Sequence, residues 1–245
     1  MSAAPEEPTT PEEPTTPAEA TAAERPTPVL EAAHLNLAGP EGPVFTDVSF
    51  DVLPARLTLL VGASGTGRSS LLLALGGRMR GTTGTLRRRG RDVRTRRDLK
   101  ALRSATSVAR VADVIVPEAR LSVAESVAER ALLDGVRLAA AESAFGAAVE
   151  LLDVRLDRGA LVEQLPAYEL AVLTVALACV RPAEVVLLDD LDADLELTDQ
   201  RRLVDALVRL AATGPAVVAT TTEPRAAPPD AVLHLATAAA PQEDR

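Results

Sequence analysis

A glycine-rich turn between an apolar strand and a helix is the segment whose residues are best arranged for chemistry. It follows the apolar run LTLLV, and a helical pattern begins directly after it. Glycines let such a turn direct several backbone N–H groups inward, and the N-terminus of the next helix adds positive potential. The pattern G-x4-G-[KR]-[ST] in this context predicts a phosphate-binding loop; a glycine-rich turn without a ligand is the alternative. The candidate phosphate-contacting residues are Gly62, Ala63, Ser64, Gly65, Thr66, Gly67, Arg68, Ser69 and Ser70.

The polar side chains at the end of this turn define its chemistry. Ser69 carries a hydroxyl at the position from which phosphate-binding loops hold Mg²⁺. Arg68 stands where the standard loop has a lysine, whose compact charge reaches the phosphates. The guanidinium keeps the charge and can bind phosphate with two donors, but it is longer and need not fit the space of a lysine.

An apolar strand that ends in two carboxylates provides the second chemical element. Its sequence is Val185-Val-Leu-Leu-Asp189-Asp190. In P-loop nucleotide hydrolases a strand of this kind lies beside the strand of the phosphate loop, and its aspartate supports the Mg²⁺ site. We therefore expect Ser69 and Asp189 to be the protein's ligands to Mg²⁺.

Apolar strands alternate with helical patterns along the rest of the chain, which predicts an α/β fold with a largely parallel sheet. Around the turn we expect a strand over Arg56–Val61 and a helix from Arg68 to about Leu75. The further predicted strands are 45–52, a pair within Gly84–Val93, Val185–Leu188, Ala216–Thr220 and Val232–Leu235. The further predicted helices are two or three within 121–155, Leu170–Cys179 and Gln200–Ala211.

Composition excludes several classes of function. Aromatic residues make up 2% of the chain and the net charge is −9, so neither base stacking nor a general attraction to nucleic acid is expected. The single cysteine, Cys179, cannot form an intrachain disulfide, and its apolar neighbours indicate a core thiol. No apolar run reaches the roughly 18 residues that span a bilayer, so any membrane role requires another chain. His34 and His234 lack partners at metal-ligand spacing, and we interpret both as structural.

Two stretches of the sequence have an extreme charge. Residues 1–28 contain six glutamates, one arginine and two copies of PEEPTT, which predicts an extended, disordered spacer; a docking segment for a partner is the alternative. Arg87–Arg103 contains nine basic and two acidic residues. The solvated surface of a strand pair and a helix is the simpler interpretation of this run, and contact with a partner subunit or with anionic lipid headgroups is the alternative. The folded domain is expected to span residues 29–240.

With the phosphate loop and the acidic strand in place, the chain resembles the ATP-binding cassette family, the nucleotide-binding domains of ABC transporters, from about Leu30 to Leu235. VGASGTGRSSLLLALGG is similar to the family's VGPSGSGKSTLLRLLAG, and VFTDVSF looks like the opening strand of that family. Leu165-Pro-Ala-Tyr-Glu169 occupies the place of the signature LSGGQ, and LDDLDADL stands where the family has LDEPTSGL.

The resemblance implies a P-loop NTPase-type core with a largely parallel sheet, an inserted helical subdomain at about residues 120–168 and an antiparallel β lobe. It implies ATP with Mg²⁺, bound between the phosphate loop of one subunit and the signature of another in a homo- or heterodimer of cassettes. It also implies a membrane permease subunit on a separate chain, no nucleic-acid partner, and a cytoplasmic location peripheral to the inner face of the membrane.

Several functional positions depart from the family pattern. They are Arg68 for lysine, Asp190 for glutamate, Pro166, Ala167 and Tyr168 for the serine and two glycines of the signature, Thr222 for histidine, and no glutamine near 108–113. We expect Ala167 and Tyr168 to crowd the γ-phosphate. Asp190 is the only carboxylate placed for the catalytic task of positioning the attacking water, and it is one methylene shorter than the family's glutamate.

These departures predict a degenerate cassette. The leading hypothesis is a cytoplasmic ATP-binding subunit of an ABC-type transporter that binds MgATP and hydrolyses it weakly. A pseudo-ATPase scaffold or regulatory partner of an intact cassette or membrane protein is the alternative. Another P-loop enzyme, such as a small-molecule kinase, is a third hypothesis.

Overall fold

Nine strands form two sheets in the part of the chain that this computed structural model describes, residues 26–111, 114–224 and 232–235. The strands are β1 (Leu30–Gly39), β2 (Gly42–Val52), β3 (Leu57–Val61), β4 (Thr83–Arg88), β5 (Arg91–Asp92), β6 (Thr106–Arg110), β7 (Val185–Leu188), β8 (Ala216–Thr221) and β9 (Val232–His234). The helices are α1 (Arg68–Leu75), α2 (Arg96–Ala105), α3 (Val123–Asp134), α4 (Leu138–Leu151), α5 (Ala167–Ala178) and α6 (Leu197–Ala212), with a short 3-10 helix at Val162–Gln164. One sheet is parallel and the other antiparallel, so the predicted α/β fold is confirmed.

The parallel sheet brings the two predicted chemical elements to one edge. Its strand order is β6-β7-β8-β3-β9. All residues of β7 and β8 are buried, which is typical of parallel strands covered on both faces. The phosphate loop leaves the carboxyl end of β3, and the two aspartates leave the carboxyl end of β7. Because carboxyl ends of parallel strands lie at the same edge, the two segments meet there.

The expectation that the acidic strand lies directly beside the strand of the phosphate loop is wrong. β8 lies between them and pairs with both: Leu188 of β7 is opposite Ala219, and Val61 of β3 is opposite Thr221. The sequence of β8, AVVATT, is buried along its whole length, so this strand occupies a central position. It thereby brings a third polar side chain, Thr220, to the edge where the two elements meet.

Alternation along the central strands divides the core into two clusters. In β7, Val186 and Leu188 belong to one cluster, and Val185 and Leu187 belong to the other. The first cluster packs the sheet against α3, α4, α5 and α6. The second packs it against α1, α2 and the antiparallel sheet, whose order is β2-β1-β4-β5.

Most predicted elements are present with shifted ends. α5 begins at Ala167 rather than Leu170, since Pro166 takes the N-cap position, and a proline at a helix start removes no helical hydrogen bond. α6 begins at Leu197 rather than Gln200, with Asp199 in its first turn, where a negative charge is favourable.

Two strands, β1 and β6, were not predicted from the sequence, and the helix α2 was expected only as part of a solvated surface in the basic run, without bounds. α2 begins with a capping box, in which the Asp98 N–H donates to Thr95 Oγ1 and the Thr95 N–H donates to the Asp98 carboxylate. The helix lies in the basic run, and only Leu102 and Ala105 of its residues are buried. The charge of this segment left the bounds of the helix unassigned, although its capping residues indicate where it begins.

The predicted tail falls mostly outside the described residues. Only 26–28 of residues 1–28 are described, and they precede the buried Val29. The domain limits of 29–240 and about 120–168 remain predictions. Within the three described ranges, no helix combines the length and the apolar character needed to cross a membrane.

Candidate functional site

The predicted phosphate loop connects β3 to α1, and two of its glycines are required by close contacts. A Cβ on Gly62 would lie 2.5 Å from Thr66 Oγ1, and a Cβ on Gly67 would lie 2.6 Å from the carbonyl oxygen of Val44. Gly67 also has a φ of 79°, in the left-handed region. Thr66 closes the loop on its inner side, since its hydroxyl donates to the carbonyl oxygen of Ala63 at 2.8 Å.

The outer part of the loop is open to solvent. Ala63, Ser64 and Gly65 are exposed, and no atom beyond the adjacent residues lies within 4 Å of where Gly65 would carry a Cβ. Gly67 is the N-cap of α1 and supplies no side-chain cap, so the N–H groups of the first turn are left for an outside acceptor. An anion at the loop would meet these N–H groups and the positive end of the helix.

Arg68 begins α1 and directs its side chain into the protein. The residue is 8% exposed, and its Nη2 lies 3.1 Å from Asp190 Oδ1. Its other terminal nitrogen, Nη1, is buried and has no hydrogen-bond partner among the described residues. Burying a charged donor without an acceptor is costly, so this nitrogen marks a place for an acceptor from outside the described chain.

Asp189 is fully buried at the end of β7. Its Oδ1 accepts a hydrogen bond from Thr220 Oγ1 at 2.5 Å, whereas its Oδ2 is buried without a partner in the described ranges. A carboxylate oxygen in this state fits a cation such as Mg²⁺, which prefers oxygen ligands. Ser69, the other predicted ligand, is partly buried in the first turn of α1.

Asp190 occupies a strained turn beside Asp189. Its φ is 44°, and its N–H donates to Thr220 Oγ1 at 2.8 Å, so one hydroxyl holds both aspartates. Burial raises the pKa of Asp190, and the charge of Asp189 raises it further, against the opposing charge of Arg68. A carboxylate with a raised pKa is a stronger proton acceptor, which suits a general base.

Arg110, the last residue of β6, is a site residue that the sequence analysis missed. Its Nη2 donates to the carbonyl oxygen of Asp189 at 3.2 Å and to that of Asp190. The guanidinium therefore fixes the turn that carries both carboxylates and lowers the pKa of Asp190 as one of its smaller influences. The sequence feature that could have indicated Arg110 is its place at the end of a buried strand, in the stretch where the family pattern has a glutamine.

The segment in the place of the signature has an unexpected orientation. Tyr168 lies in the first turn of α5, is 8% exposed, and packs its ring against the guanidinium of Arg202 in α6, 4.1 Å from the ring centroid. The expectation that its side chain crowds a phosphate group therefore does not fit this ring, which packs into the core of its own chain. Pro166 is exposed at the start of the helix, and Ala167 is partly buried behind it.

Thr222, which stands in place of a histidine, ties the end of β8 to the loop after β7. Its hydroxyl and its N–H both donate to Asp192 Oδ2, the N–H at 2.9 Å. Burial acts to raise the pKa of Asp192, but hydrogen bonds to its carboxylate, with those from Thr222 foremost, together lower the pKa. The acidic loop is therefore anchored to the sheet edge that carries the site.

His34, His234 and Cys179 are the remaining side chains that the sequence analysis singled out, and His234 lies opposite Val61, the last residue before the phosphate loop. His34 is exposed, and its Nδ1 lies 2.6 Å from Asp47 Oδ1. His234 is exposed at the end of β9. Cys179 is partly buried at the end of α5, where burial raises the pKa of its thiol to about 11, so the thiol stays protonated at neutral pH.

Comparison of the sequence with known proteins points to the same family as the motifs of the phosphate loop and the acidic strand. A family model described as ABC transporter matches residues 45–193, more than half of the chain. The Hemin import ATP-binding protein HmuV of Burkholderia thailandensis is 32% identical over 207 residues, which cover 74% of this chain and 74% of that protein. The Ribose import ATP-binding protein RbsA 1 of Rubrobacter xylanophilus is 29% identical over 194 residues. The aligned region covers 78% of this chain but 38% of that relative's length.

Comparison of structures shows the fold. The structure of cbiO1 from Clostridium perfringens, part of the ABC transporter complex cbiONQ, matches with a TM-score of 0.72 at 15% identity, covering 85% of both chains. This similarity confirms the predicted P-loop NTPase-type architecture. Together with the family model and the HmuV relative, it leads to one conclusion: the chain belongs to the ABC transporter family.

Proposed function

We propose that this chain binds MgATP at the phosphate loop and serves as the ATP-binding subunit of an ABC-type transporter. The observation that carries the proposal is a pair of buried atoms of opposite character beside the open loop, Arg68 Nη1 and Asp189 Oδ2, neither of which has a hydrogen-bond partner among the described residues. The first is a donor suited to phosphate, and the second is an acceptor suited to a cation. A nucleoside triphosphate would accept a hydrogen bond from the donor, and its metal ion would bind the acceptor.

Each residue of the site has a defined task in this proposal. The backbone N–H groups between Gly62 and Ser70 donate to phosphate oxygens, and Arg68 adds a charged donor. Ser69 and Asp189 hold Mg²⁺, which neutralises phosphate charge when it is bound. Asp190, whose pKa burial raises, orients the attacking water and accepts its proton.

We propose weak hydrolysis because Asp190, the proton acceptor, is already in an ion pair with Arg68. Asp190 Oδ1 lies 3.1 Å from Arg68 Nη2, so the carboxylate must leave or share this ion pair to reach a water. An aspartate is also shorter than the family's glutamate, and a displacement of about 1 Å can lower a rate roughly 100-fold. The same ion pair favours a second candidate, a pseudo-ATPase scaffold or regulatory partner that binds nucleotide without turnover.

The wider assembly follows by analogy with the relatives. HmuV and RbsA 1 are named import ATP-binding proteins, and cbiO1 is part of a transporter complex. We extend this to a chain that works in import with a membrane permease subunit on a separate chain, in the cytoplasm and peripheral to the inner face of the membrane. Two cassettes, identical or different, would then enclose the nucleotide.

The test is the thermal stability of the full-length chain with MgATP, MgADP, ATP with excess EDTA, or no nucleotide. Binding to the native state stabilises it by about 2.7 kcal/mol when the nucleotide is present at about 100 times Kd. A rise in Tm with MgATP that shrinks when EDTA removes the metal is the expected result. The same Tm in all four conditions at millimolar nucleotide would refute ATP binding.

Turnover separates the two candidates once binding is established. Phosphate release by the wild-type chain that disappears in Asp190→Asn supports weak hydrolysis. Release no faster than in a protein-free blank, with the MgATP-dependent Tm shift intact, supports the pseudo-ATPase. Release that is unchanged in Asp190→Asn would remove Asp190 from the catalytic role.

A further inference from the structure

Four side chains of the basic run form an exposed cluster without an ion pair to any described residue. Arg91 of β5 and Arg96, Arg97 and Lys100 of α2, which we call the basic face, are all exposed. Arg91 and Arg97 line the same surface depression. None of the four forms a close ion pair within the part of the chain that the structure describes, and the nearest carboxylate interaction is that of Arg97, whose charge contributes to the lowered pKa of Asp98.

The carboxylates around the basic face are already occupied. Asp92 contacts Arg87 at 2.9 Å and Arg94 at 2.7 Å. Asp98 accepts the capping hydrogen bonds of α2. The basic face therefore has an uncompensated positive charge, although the whole chain has a net charge of −9.

Glu184 is occupied in the same way. It contacts Arg88 at 2.8 Å and Arg89 at 3.0 Å. Burial acts to raise the pKa of Glu184, but these two guanidinium groups outweigh it and lower the pKa, so the carboxylate stays charged and paired. This third carboxylate is therefore not free to neutralise the basic face.

The N-terminal segment of the chain starts from the same region. The carbonyl oxygen of Val29 accepts a hydrogen bond from the Arg89 N–H at 3.0 Å, and Leu30 is opposite Arg88 in the sheet. Residues 1–25 thus join the described chain beside the β4–β5 hairpin, whose second strand carries Arg91. At about 3.3 Å per extended residue, the segment is long enough to cover the whole basic face.

The chemistry of the segment complements the face. Residues 1–25 contain six glutamates and one arginine, with the pairs Glu6–Glu7 and Glu12–Glu13 in the two PEEPTT repeats. Ion pairs between exposed groups are individually weak. A tether raises the effective concentration of the second partner to about millimolar, which favours contact within one chain.

We propose that residues 1–25 dock on the basic face of their own chain, with the paired glutamates of the repeats contacting Arg91, Arg96, Arg97 and Lys100. The docked segment is an intramolecular acidic ligand that covers the positive surface of α2. Because the contact is electrostatic, salt weakens it. This inference does not depend on nucleotide binding.

The chain offers an unusually specific test, because Lys100 is the only lysine in the sequence and lies in the basic face. A water-soluble carbodiimide activates a carboxylate and joins it to an amine, forming an amide with loss of water. An amide between Lys100 and a glutamate of residues 1–25, found by mass spectrometry of the tryptic digest, is the expected product. Its yield should fall several-fold when salt is raised to about 0.5 M.

Four variants of the full-length chain control the experiment. Lys100→Arg keeps the charge but removes the amine, so the product must disappear. Two further variants should each lower several-fold the yield of the amide between Lys100 and the remaining glutamates. One carries Glu→Gln at positions 6, 7, 12 and 13, and the other carries Arg96→Glu with Arg97→Glu. Arg120→Glu with Arg155→Glu makes the same charge change at exposed arginines outside the face, and it should leave the yield unchanged. Circular dichroism confirms that each variant is folded.

Two results of the cross-linking experiment would overturn the proposal. One is a yield that is indifferent to salt and to the Arg96→Glu and Arg97→Glu changes, which would mean that the basic face does not hold the segment. The other comes from mixing isotopically labelled and unlabelled chains: products of mixed mass would show docking between copies rather than within one.

Anionic lipid is the rival occupant, and flotation with vesicles of phosphatidylcholine and phosphatidylserine tests it. We expect the wild-type chain to remain unbound, because its own segment covers the face. Flotation of the wild-type chain that Arg96→Glu with Arg97→Glu abolishes, without a product at Lys100, would assign the basic face to lipid and refute intramolecular docking.

Discussion

Arg68 Nη2 lies 3.1 Å from Asp190 Oδ1, which joins two of the positions where the chain departs from the family pattern. Arg68 is longer than the lysine of the family pattern, and Asp190 is shorter than the glutamate of that pattern. The guanidinium reaches from the first turn of α1 to the loop after β7, where its Nη2 meets the aspartate. The two departures are therefore one structural feature, an ion pair across the candidate site.

This ion pair predicts energetic coupling between the two positions in nucleotide-free protein. In a cycle of Arg68→Ala, Asp190→Ala and the double variant, we expect a coupling of about 1 kcal/mol, since the aspartate is partly exposed and screened. Urea unfolding of the four proteins gives the coupling. Effects that add to within about 0.3 kcal/mol would show that the contact contributes nothing to stability.

Arg68 should also be required for nucleotide binding. Arg68→Met removes the charged donor but keeps an unbranched side chain, and we expect MgATP to bind about 10- to 100-fold more weakly, the effect of losing a charged hydrogen bond. Calorimetric titration measures the change in Kd. Arg120→Met, at an exposed arginine outside the loop, should bind as the wild type does, and equal affinity in the two variants would exclude Arg68 from the phosphate site.

The raised pKa of Asp190 predicts a specific pH dependence of stability. Burial and the charge of Asp189 disfavour the ionised carboxyl in the folded state. A carboxyl whose folded pKa is raised stabilises the fold fully below its unfolded pKa of about 3.9, and this contribution is lost as pH rises through the folded pKa. The wild-type chain should therefore lose stability relative to Asp190→Asn across that window.

The measurement is the difference in unfolding free energy between Asp190→Asn and wild type, from about pH 3.5 to 8, without nucleotide. The slope of this difference is the informative quantity, because Arg68 stabilises only the ionised carboxyl and its opposing effect is therefore already included in the net shift of the pKa. A difference that grows with pH and then levels confirms the prediction. A difference that shrinks with rising pH would mean that Arg68 dominates and holds the pKa down.

The two left-handed glycines of the phosphate loop predict unequal costs. Gly65 and Gly67 have φ values of 83° and 79°, so alanine at either adds about 1–2 kcal/mol of backbone strain. Only Gly67 has a second conflict, because its Cβ would lie 2.6 Å from the carbonyl oxygen of Val44. Gly67→Ala should therefore lower Tm clearly more than Gly65→Ala. Equal losses in thermal unfolding would mean that the loop moves away from Val44 at little cost.

The sequence was sufficient to predict the phosphate loop and the acidic strand because their chemistry depends on local residue type and spacing. Gly62–Gly67 connects a strand to a helix as predicted, and Asp189 directly follows a buried strand. The fold class followed from the alternation of strands and helices. These features are encoded within short segments and need no knowledge of distant contacts.

Relations between distant segments were not accessible from the sequence. The contact between Arg68 and Asp190, and the hydrogen bonds from Arg110 to the aspartate turn, depend on the strand order. That order places β8 between the two predicted elements, and nothing in AVVATT specifies which strands are its neighbours. Thr220, which holds both aspartates, is for the same reason a residue that only the structure identifies.

The final prediction concerns Tyr168 and distinguishes a role in packing the core from a role at the nucleotide. Its ring is buried against Arg202 in the first turn of α5, and burial raises the pKa of its phenol. Tyr168→Ala should lower the unfolding free energy by about 3 kcal/mol, as expected for removing a buried ring, and Tyr168→Phe by less than about 1 kcal/mol. Urea unfolding gives both values. If Tyr168→Ala instead left stability unchanged and tightened MgATP binding, the side chain would be an obstacle at the nucleotide rather than a part of the core.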